Sequence, residues 1–424
     1  MNVLLISANT ETLNMPTLPM GLGLVAAAAQ NAGHRVRFLD LMAEDDPDTA
    51  LAGAITERGP EAIGISIRNV DDQTSAGPRF FLEAARSIVA RCKALSDAPV
   101  ILGGAGYSMF PESALEYLGA DMGIQGEGEA AFVALLEKLA VSGDPSDVPG
   151  LYLRGQGCRT PRTFAPRLDD LPFPDPAIFN VARFKDTSYY LPFQTRRGCP
   201  LRCSYCATAL IEGSRIRMRG IDAVVGELVR WRKAGVQRIF FVDNTFNLPP
   251  THAQKLCERI ADARLDISWR AIFYPGRTNP TLIQAMARAG CSEVSLGFES
   301  GNPEVLARIG KRFDPADVRR TSRMLGDAGI RRMGFLLLGG PNETRETVLE
   351  SLRFADRLDL EAMKLTVGIR IYPHTRLADN ARAEGVIDPA DDLLHPRFYI
   401  RPGLEPWLRQ TVAEWIADRP NWYA

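Results

Sequence analysis

Short apolar runs alternate with helical patterns through the first third of the chain. Each run stops at a glycine or a polar turn, and an alanine- or leucine-rich amphipathic segment follows it. Compact apolar strands interleaved with helices are typical of a parallel sheet that is covered on both faces. Residues 1–142 are therefore predicted to form a doubly wound, Rossmann-like α/β domain, whose ligand lies at the carboxyl ends of the strands. The predicted strands are residues 3–7, 36–39, 62–67, 100–102 and 122–125.

A second alternation of strands and helices begins at residue 191. Before it, residues 143–190 lack periodicity and carry clustered prolines, which disfavour helices and central strands alike, so this segment is predicted to be a linker. Residues 191–376 contain apolar runs separated by helical patterns, and the aromatic-rich residues 377–424 are predicted to form a small α-rich cap. The second set of predicted strands is residues 192–196, 238–242, 268–273, 293–296, 332–338 and 364–371.

The amino-acid composition and charge of the chain exclude several classes of protein. A chain of 424 residues exceeds one ordinary core, and 46% hydrophobic with 24% charged residues indicates a globular protein. The 50 basic and 51 acidic residues balance, which argues against bulk nucleic-acid binding and favours a small-molecule substrate. We find no signal-peptide pattern and no apolar run near the ~18 residues of a membrane span, so a cytoplasmic location is expected.

Three cysteines lie close together in the segment Arg-Arg-Gly-Cys-Pro-Leu-Arg-Cys-Ser-Tyr-Cys, as Cys199, Cys203 and Cys206. Zinc sites usually need four ligands in paired spacing, and no partner pair follows. Three thiolates on one loop can instead bind three irons of a four-iron cluster and leave the fourth iron open. The alternative, three buried small hydrophobes, is disfavoured because these are three of seven cysteines within eight residues.

The spacing C-x3-C-x-aromatic-C, with Tyr205 as the aromatic residue, resembles the signature of the radical S-adenosylmethionine (SAM) superfamily. This resemblance implies a partial (β/α)6 barrel and a catalytic [4Fe–4S] cluster on the three cysteines. It also implies that SAM chelates the open iron and is cleaved by one-electron reduction to a 5′-deoxyadenosyl radical. The cofactors carry this chemistry, and an external electron donor such as flavodoxin or ferredoxin is expected.

Several strand ends resemble the SAM-contacting segments of that superfamily. The polar residues after the second strand of this region resemble the edge near the methionine moiety, and those at the end of the fourth resemble the ribose and carboxylate contacts. Arg270 can pair with the SAM carboxylate through two hydrogen bonds. The segment 334–341 resembles the adenine-packing stretch. The predicted SAM-binding residues are Tyr205, Asp243, Asn244, Arg270, Ser295, Gly297, Glu299 and Gly339.

The first domain resembles the cobalamin-binding domains that are fused to radical SAM enzymes. Its loop at 15–23 and its glycines at strand ends carry the likeness, because glycine lets the backbone approach a corrin closely. The loop at 8–21 contains no histidine, so cobalamin is expected without a protein histidine ligand; a degenerate, empty site is the alternative. For Arg68, a solvated loop position is equally compatible. The predicted cobalamin contacts are Thr17, Leu18, Arg68, Asn69, Gly103, Gly104, Gly126, Glu127, Gly128 and Glu129.

Together these resemblances imply a class B radical SAM methyltransferase-like enzyme. The expected reaction is methylation of an unactivated carbon or a phosphorus centre in a small-molecule or natural-product intermediate, with methylcobalamin as the methyl donor. Cyclisation, ring rearrangement or oxidation with the same cofactors is a second possibility, and a non-catalytic sensor with a vestigial cluster is a third. Tyr372 and His374, at the end of the sixth strand, are predicted to contact substrate.

Overall fold

The structure is a computed structural model that describes residues 1–12, 16–57, 59–182, 189–276 and 278–424. An α/β domain occupies the first third. Its strands are β1 (Asn2–Ser7), β2 (Arg35–Asp40), β3 (Ala62–Ser66), β4 (Val100–Gly103), β5 (Met122–Ile124), β6 (Leu151–Leu153) and β7 (Gly157–Cys158). Its helices are α1 (Met20–Asn31), α2 (Pro47–Thr56), α3 (Leu82–Leu95), α4 (Ala105–Met109), α5 (Pro111–Leu118) and α6 (Gly128–Ala140).

The strand order of the first sheet is β2-β1-β3-β4-β5-β6-β7. The pairs from β2 to β5 are parallel, which confirms the predicted doubly wound domain. The order reverses between β1 and β3, and ligands of such sheets bind at this switch point beyond the carboxyl ends of the strands. Strands β6 and β7 add on antiparallel to β5, so the sheet continues past residue 142 into the predicted linker.

The second part of the chain begins at β8. Its strands are β8 (Leu191–Phe193), β9 (Arg196–Arg197), β10 (Arg217–Met218), β11 (Arg238–Phe241), β12 (Ser268–Phe273), β13 (Cys291–Glu299), β14 (Arg331–Leu338), β15 (Ala362–Val367), β16 (Ile369–Arg370), β17 (Phe398–Tyr399) and β18 (Trp422–Tyr423). Its helices are α7 (Thr208–Glu212), α8 (Ile221–Lys233), α9 (Pro250–Asp262), α10 (Pro280–Arg288), α11 (Pro303–Arg308), α12 (Pro315–Asp327), α13 (Arg345–Asp356), α14 (Arg376–Ala383) and α15 (Glu405–Ala417). Three short 3-10 helices cover Leu41–Ala43, Leu168–Asp170 and Pro176–Ile178.

The large sheet of this part is a partial barrel. Its order, β8-β11-β12-β13-β14-β15-β18, follows the chain with parallel neighbours throughout. The six predicted strands are therefore confirmed, and β18 adds a seventh at the edge beside β15. The core is aromatic, with Trp231, Trp269 and Phe298 fully buried between the strands and their outer helices.

The C-terminal segment divides its contacts between the two domains. Leu377, Leu393 and Tyr399 pack into the core of the first domain, whereas Leu408 of α15 packs against the barrel. A buried ion pair at 2.8 Å also joins Arg370 of β16 to Asp71 of the first domain. The predicted cap thus fastens one domain to the other. None of the helices in the described ranges is long and apolar enough to cross a membrane.

Candidate active site

The cysteine loop begins with a backbone constraint at Gly198. Strand β9 pairs with β10, and Gly198 then adopts φ +91°, where a Cβ would lie 2.0 Å from the carbonyl oxygen of Arg215. Only glycine fits this close approach. The turn that follows brings the backbone N–H of Cys206 to 3.2 Å from the Cys203 carbonyl oxygen. All three cysteines of the loop are free, partly exposed thiols.

Burial disfavours the thiolate form of Cys199 and Cys203 while no metal is bound. Burial raises the pKa of Cys199, and it raises the pKa of Cys203 to about 11 although the Lys311 ammonium opposes the shift. Metal binding deprotonates such thiols. Among the described residues, no three His, Cys, Asp or Glu side chains are grouped so that they could hold a metal ion. A [4Fe–4S] cluster takes one cysteine per iron, so the three cysteines of the loop can bind three of its four irons.

A cavity of about 430 Å³ lies inside the barrel next to the cysteine loop, lined by Tyr205, Ser295, Gly297 and Glu299 among others. Glu299 Oε1 accepts a hydrogen bond from the Tyr205 hydroxyl at 3.1 Å and pairs with the Lys311 ammonium at 3.2 Å. A Cβ at Gly297 would lie 3.0 Å from the same oxygen. This arrangement gives the cavity a carboxylate and a hydroxyl that suit the polar groups of SAM.

Lys311 belongs to this site but is not among the residues predicted from the sequence. Burial alone would lower the pKa of its ammonium, but the charge of Glu299 raises it well above the usual value. The residue follows α11 in a run with two neighbouring basic positions, and nothing in that pattern distinguishes the buried cation. Its role becomes visible only in the structure, where Glu299 and Cys203 lie beside it.

Asp243 and Asn244 have different surroundings. Asp243 is fully buried, and its oxygens accept from the Thr195 backbone N–H, the Thr195 hydroxyl and the Arg196 backbone N–H. Its carboxylate therefore fixes the strand before the cysteine loop and is not available to the SAM amino group, contrary to expectation. Asn244 donates to Glu212 Oε2 at 2.6 Å and accepts from Thr208, which also accepts from Cys206. Asn244 thus stays beside the cluster loop.

Arg270 and Gly339 also differ from the expected SAM contacts. The Arg270 guanidinium stacks over the Tyr190 ring at 3.5 Å and lies 3.6 Å from Glu293, so its charge is used at the other end of the strands. Gly339 has φ +94°, and Leu408 and Ile400 cover the position where its side chain would lie. The C-terminal helix therefore packs on Gly339, and neither residue lines the barrel cavity.

A second cavity, of about 420 Å³, opens between the first domain and the barrel. All the predicted cobalamin contacts except Asn69 line it, among them Thr17, Leu18, Gly103, Gly126 and Gly128. Gly104 starts α4 with φ +96°, where a Cβ would lie 2.5 Å from the Ile67 carbonyl oxygen. A Cβ at Gly103 would meet no atom within 4 Å. This open, glycine-lined wall at the carboxyl ends of the strands fits a flat macrocycle.

Arg68 is one of the arginines that line this cavity. It extends from the end of β3 into the space, and burial lowers the pKa of its guanidinium. Among the described residues it has no carboxylate partner and no side-chain hydrogen bond. A bound group that offers acceptors, such as the amide side chains or the phosphate of cobalamin, would satisfy it. The fit to cobalamin thus includes a polar contact as well as shape.

Glu127 and Glu129 line the cavity and also form ion pairs with the barrel half of the chain. Glu129 is buried, and its carboxylate pairs with Arg197, the residue two positions before Cys199. Burial would raise the pKa of Glu129, but the charge and hydrogen bond of Arg197 hold it below its usual value. Glu127 pairs with Arg197 at 3.2 Å and with Arg217 at 2.7 Å. These carboxylates thus join the two domains while they line the cavity in which they are predicted to contact cobalamin.

The two predicted substrate residues point into different spaces. Tyr372 lines the barrel cavity, where burial raises the pKa of its hydroxyl above the usual range. His374 has φ +57° and lines a third cavity, between the β6–β7 hairpin and α7, together with Cys158 and Leu210. The structure therefore supports Tyr372 and not His374 as a neighbour of a ligand in the barrel.

Comparison with known proteins identifies a domain family for each half of the chain. The sequence model of the Radical SAM superfamily matches residues 194–355, which contain the cysteine loop, and that of the B12 binding domain matches residues 6–136. The chain is a radical SAM enzyme with a B12-binding domain. An uncharacterized methyltransferase of Pyrococcus horikoshii is 29% identical over 378 residues, which are 87% of this chain and 79% of the relative.

Two further methyltransferases resemble this chain over most of its length. The tryptophan 2-C-methyltransferase of Streptomyces laurentii is 26% identical over 437 residues, covering 87% of this chain and 73% of that enzyme. The structure of the radical SAM methyltransferase TsrM from Kitasatospora setae, with cobalamin and a [4Fe–4S] cluster bound, superposes with a TM-score of 0.88 at 25% identity. That alignment covers 99% of this chain and 92% of TsrM. With a Radical SAM domain and a B12 binding domain, the chain uses a [4Fe–4S] cluster, SAM and cobalamin.

Proposed function

We propose that this enzyme methylates a carbon centre of a small molecule that binds in the barrel cavity. One observation carries the proposal: residues on either side of the cysteine segment line the cobalamin cavity. Glu212 lines that cavity and accepts from the backbone N–H of Gly198 at 3.0 Å, next to Cys199. Arg197 lines it as well. A methyl donor in one cavity and a radical source in the other would thus lie on either side of one short segment.

Each cofactor has its own residues in this scheme. Cys199, Cys203 and Cys206 would hold the cluster, Tyr205 and Glu299 would orient SAM beside it, and the glycine wall with Arg68 would hold cobalamin. When bound, the cluster and SAM supply a strong hydrogen-abstracting radical, and cobalamin supplies a transferable methyl group. The protein contributes the positioning of these groups and the exclusion of water. Because the cluster must be reduced, the proposal includes an external one-electron donor.

The barrel cavity sets the expected size and polarity of the substrate. Beyond the SAM contacts it is lined by Phe335, Leu337, Lys364 and Thr366, with Gln73 from the first domain. Burial lowers the pKa of the Lys364 ammonium. The tryptophan 2-C-methyltransferase acts, by its name, on one amino acid. A compact substrate with both an apolar surface and an anionic or acceptor group is therefore the class we propose, and a carbon centre is favoured over phosphorus by that relative.

The test starts from protein produced without oxygen, reconstituted with iron and sulfide and supplied with hydroxocobalamin. After desalting, we expect about four irons and about one cobalt per chain. After reduction with titanium(III) citrate, which supplies electrons to both the cobalamin and the cluster, SAM labelled at its methyl group should transfer label to the bound cobalamin and onward to candidate substrates, with methylated product found by mass spectrometry. Iron without cobalt would contradict the methyl-transfer proposal and direct attention to radical chemistry without cobalamin.

A further inference from the structure

Three backbone segments meet at the outer side of the cysteine loop. The Ser204 N–H donates to the Ile309 carbonyl at 3.0 Å, and a Cβ on Gly310 would lie 3.1 Å from the Arg202 carbonyl oxygen. The Leu377 N–H donates to the Ser204 carbonyl at 2.9 Å. The turn after α11 and the start of α14 thus lie directly against the loop that carries Cys203.

Each of these segments carries an exposed arginine. Arg202 lies between Cys199 and Cys203 with φ +36°. Arg308 and Arg312 lie on either side of the turn after α11, and Arg376 begins α14. We name this surface the arginine patch; it consists of Arg202, Arg308, Arg312 and Arg376.

The patch carries positive charge that the protein itself leaves uncompensated. Across the described ranges, none of the four guanidinium groups forms an ion pair with a carboxylate. The nearest interaction inside the patch is a hydrogen bond at 3.2 Å from the Arg376 guanidinium to the Arg308 backbone carbonyl. By contrast, Lys311 in the same turn is buried and paired with Glu299. The local positive field is notable in a chain whose overall formal charge is −1.

We infer that the arginine patch is the docking surface for an acidic one-electron carrier protein of the flavodoxin or ferredoxin type. The inference rests on the proposed function, since a cluster that is reduced in each reaction needs an electron source. Charge complementarity selects an acidic partner and raises its association rate. Electron-transfer complexes are usually small and transient, which suits a patch of exposed arginines without an apolar groove.

The electron balance of the step is simple. The reduced carrier loses one electron, the cluster gains it, and no bond is made or broken in the protein. A carrier on the patch would be separated from Cys203 by the backbone of the loop and one turn. The same loop turns its Tyr205 side chain toward the barrel cavity, so electrons would enter from the outside while SAM and substrate occupy the inside.

The test measures cluster reduction rather than product. Reconstituted holoenzyme is mixed anaerobically with excess reduced acidic flavodoxin, and the loss of visible cluster absorbance is followed by stopped flow at several salt concentrations. We expect the second-order rate for the unaltered enzyme to fall as salt rises. The double variant R308E/R312E should react ~10-fold more slowly at low salt, with a weaker dependence on salt.

Two controls distinguish a loss of carrier docking from a general defect of the altered enzyme. The double variant R35E/R91E makes the same change in net charge at exposed arginines of the first domain and should keep the rate of the unaltered enzyme. Reduced methyl viologen needs no docking surface and should reduce all three proteins equally. Equal flavodoxin rates in the two double variants would overturn the inference, as would a salt-independent rate in the unaltered enzyme.

The same experiment distinguishes the inference from the proposed function. A fall in the viologen rate of R308E/R312E to match its flavodoxin rate would show that the substitutions act on the cluster, and would also overturn the docking assignment. If viologen-reduced enzyme transfers no methyl group, the proposed function fails. The salt-dependent flavodoxin rate can still be measured in that case.

Discussion

The two cofactor sites of this enzyme are built in contrasting ways. The cavity of the first domain combines apolar side chains with the glycine backbone of Gly103 and Gly104 at the end of β4, and Arg68 is a cation of its lining with no carboxylate partner among the described residues. The barrel site is shaped by buried charge, as in the group formed by Tyr205, Glu299 and Lys311. One site is an open surface for a large flat ligand, and the other holds polar groups in fixed positions beside reactive atoms.

This contrast teaches where each site is vulnerable. A glycine wall tolerates changes of charge nearby but not added volume, because a side chain takes the place of the ligand. A network of buried charges tolerates little loss of charge, because each member left alone carries a desolvation penalty. The two sites should therefore fail independently, except where Glu127 and Glu129 join them through Arg197.

The largest expected effect is the loss of the barrel site alone. Replacing Cys203 with alanine removes one iron ligand and should abolish 5′-deoxyadenosine formation from SAM. Cobalamin binding should remain, because Cys203 lies outside that cavity. Iron and cobalt contents with an assay for 5′-deoxyadenosine provide the measurement. As a control, C158S changes another partly exposed cysteine and should leave cleavage intact; persistent cleavage in C203A would refute the cluster assignment.

A second variant breaks the independence of the two sites. Replacing Glu129 with glutamine leaves the buried Arg197 charge without its closest partner, which should lower the free energy of unfolding by about 3 kcal/mol. The exposed pair of Arg37 and Glu57 is the matched control, and E57Q should cost at most about 1 kcal/mol.

Urea unfolding followed by far-UV circular dichroism compares the two variants. A normal unfolding midpoint for E129Q would mean that the pair does not hold the domains together. An equal loss in E57Q and E129Q would mean that burial of the pair carries no special weight.

Sequence patterns located the architecture because it depends on local periodicity. The strand alternation and the glycine stops predicted both sheets, and the three cysteines predicted the cluster loop. The edge strand β18 was missed, since two residues near the C terminus carry no strand pattern of their own. The boundary at residue 142 was misplaced because β6 and β7 are short and follow a turn, a pattern that also suits a linker.

Side-chain partners were harder to predict because charge networks join distant positions. Arg370 and Asp71 are separated by 299 residues in sequence, and neither is unusual among its neighbours. Asp243 suits either a ligand contact or a structural carboxylate, and only the positions of Thr195 and Arg196 decide between them. Residue type and strand end therefore predicted which residues approach the sites, but not which carboxylates remain available to a ligand.

A third prediction concerns a larger side chain at Gly103, in the wall of the cobalamin cavity. A side chain at Gly103 would enter the cavity without meeting protein atoms, so G103L should fold normally and weaken cobalamin retention by about tenfold or more, equivalent to ~1.4 kcal/mol. Cobalt content after desalting and the iron content of the same sample measure it. The control G226L adds the same volume at an open position on α8. Loss of iron together with cobalt in G103L would contradict the independence of the sites.

The smallest expected effect concerns pH and the carboxylate that supports the end of β14. Glu343 accepts from the backbone N–H groups of Gly339 and Gly340 at 2.6 and 2.7 Å through Oε2. Its Oε1 is buried with no hydrogen-bond partner among the described residues. Burial raises the pKa of Glu343 to about 7, although both N–H groups oppose the shift. The folded protein therefore retains this proton at pH values where the unfolded chain has released it.

A pKa raised by folding contributes stability that is complete below the ordinary glutamate pKa and is lost as pH rises through about 7. Between about pH 6 and pH 8, the ionisation of Glu343 should thus lower the free energy of unfolding by roughly 1 kcal/mol. In E343Q the amide cannot ionise but its oxygen can still accept from both N–H groups, so this part of the pH dependence should disappear. The measurement is the urea midpoint of both proteins at the two pH values. An unchanged pH dependence in E343Q would show that Glu343 is already ionised at pH 6, and that the N–H groups at the end of β14 outweigh its burial.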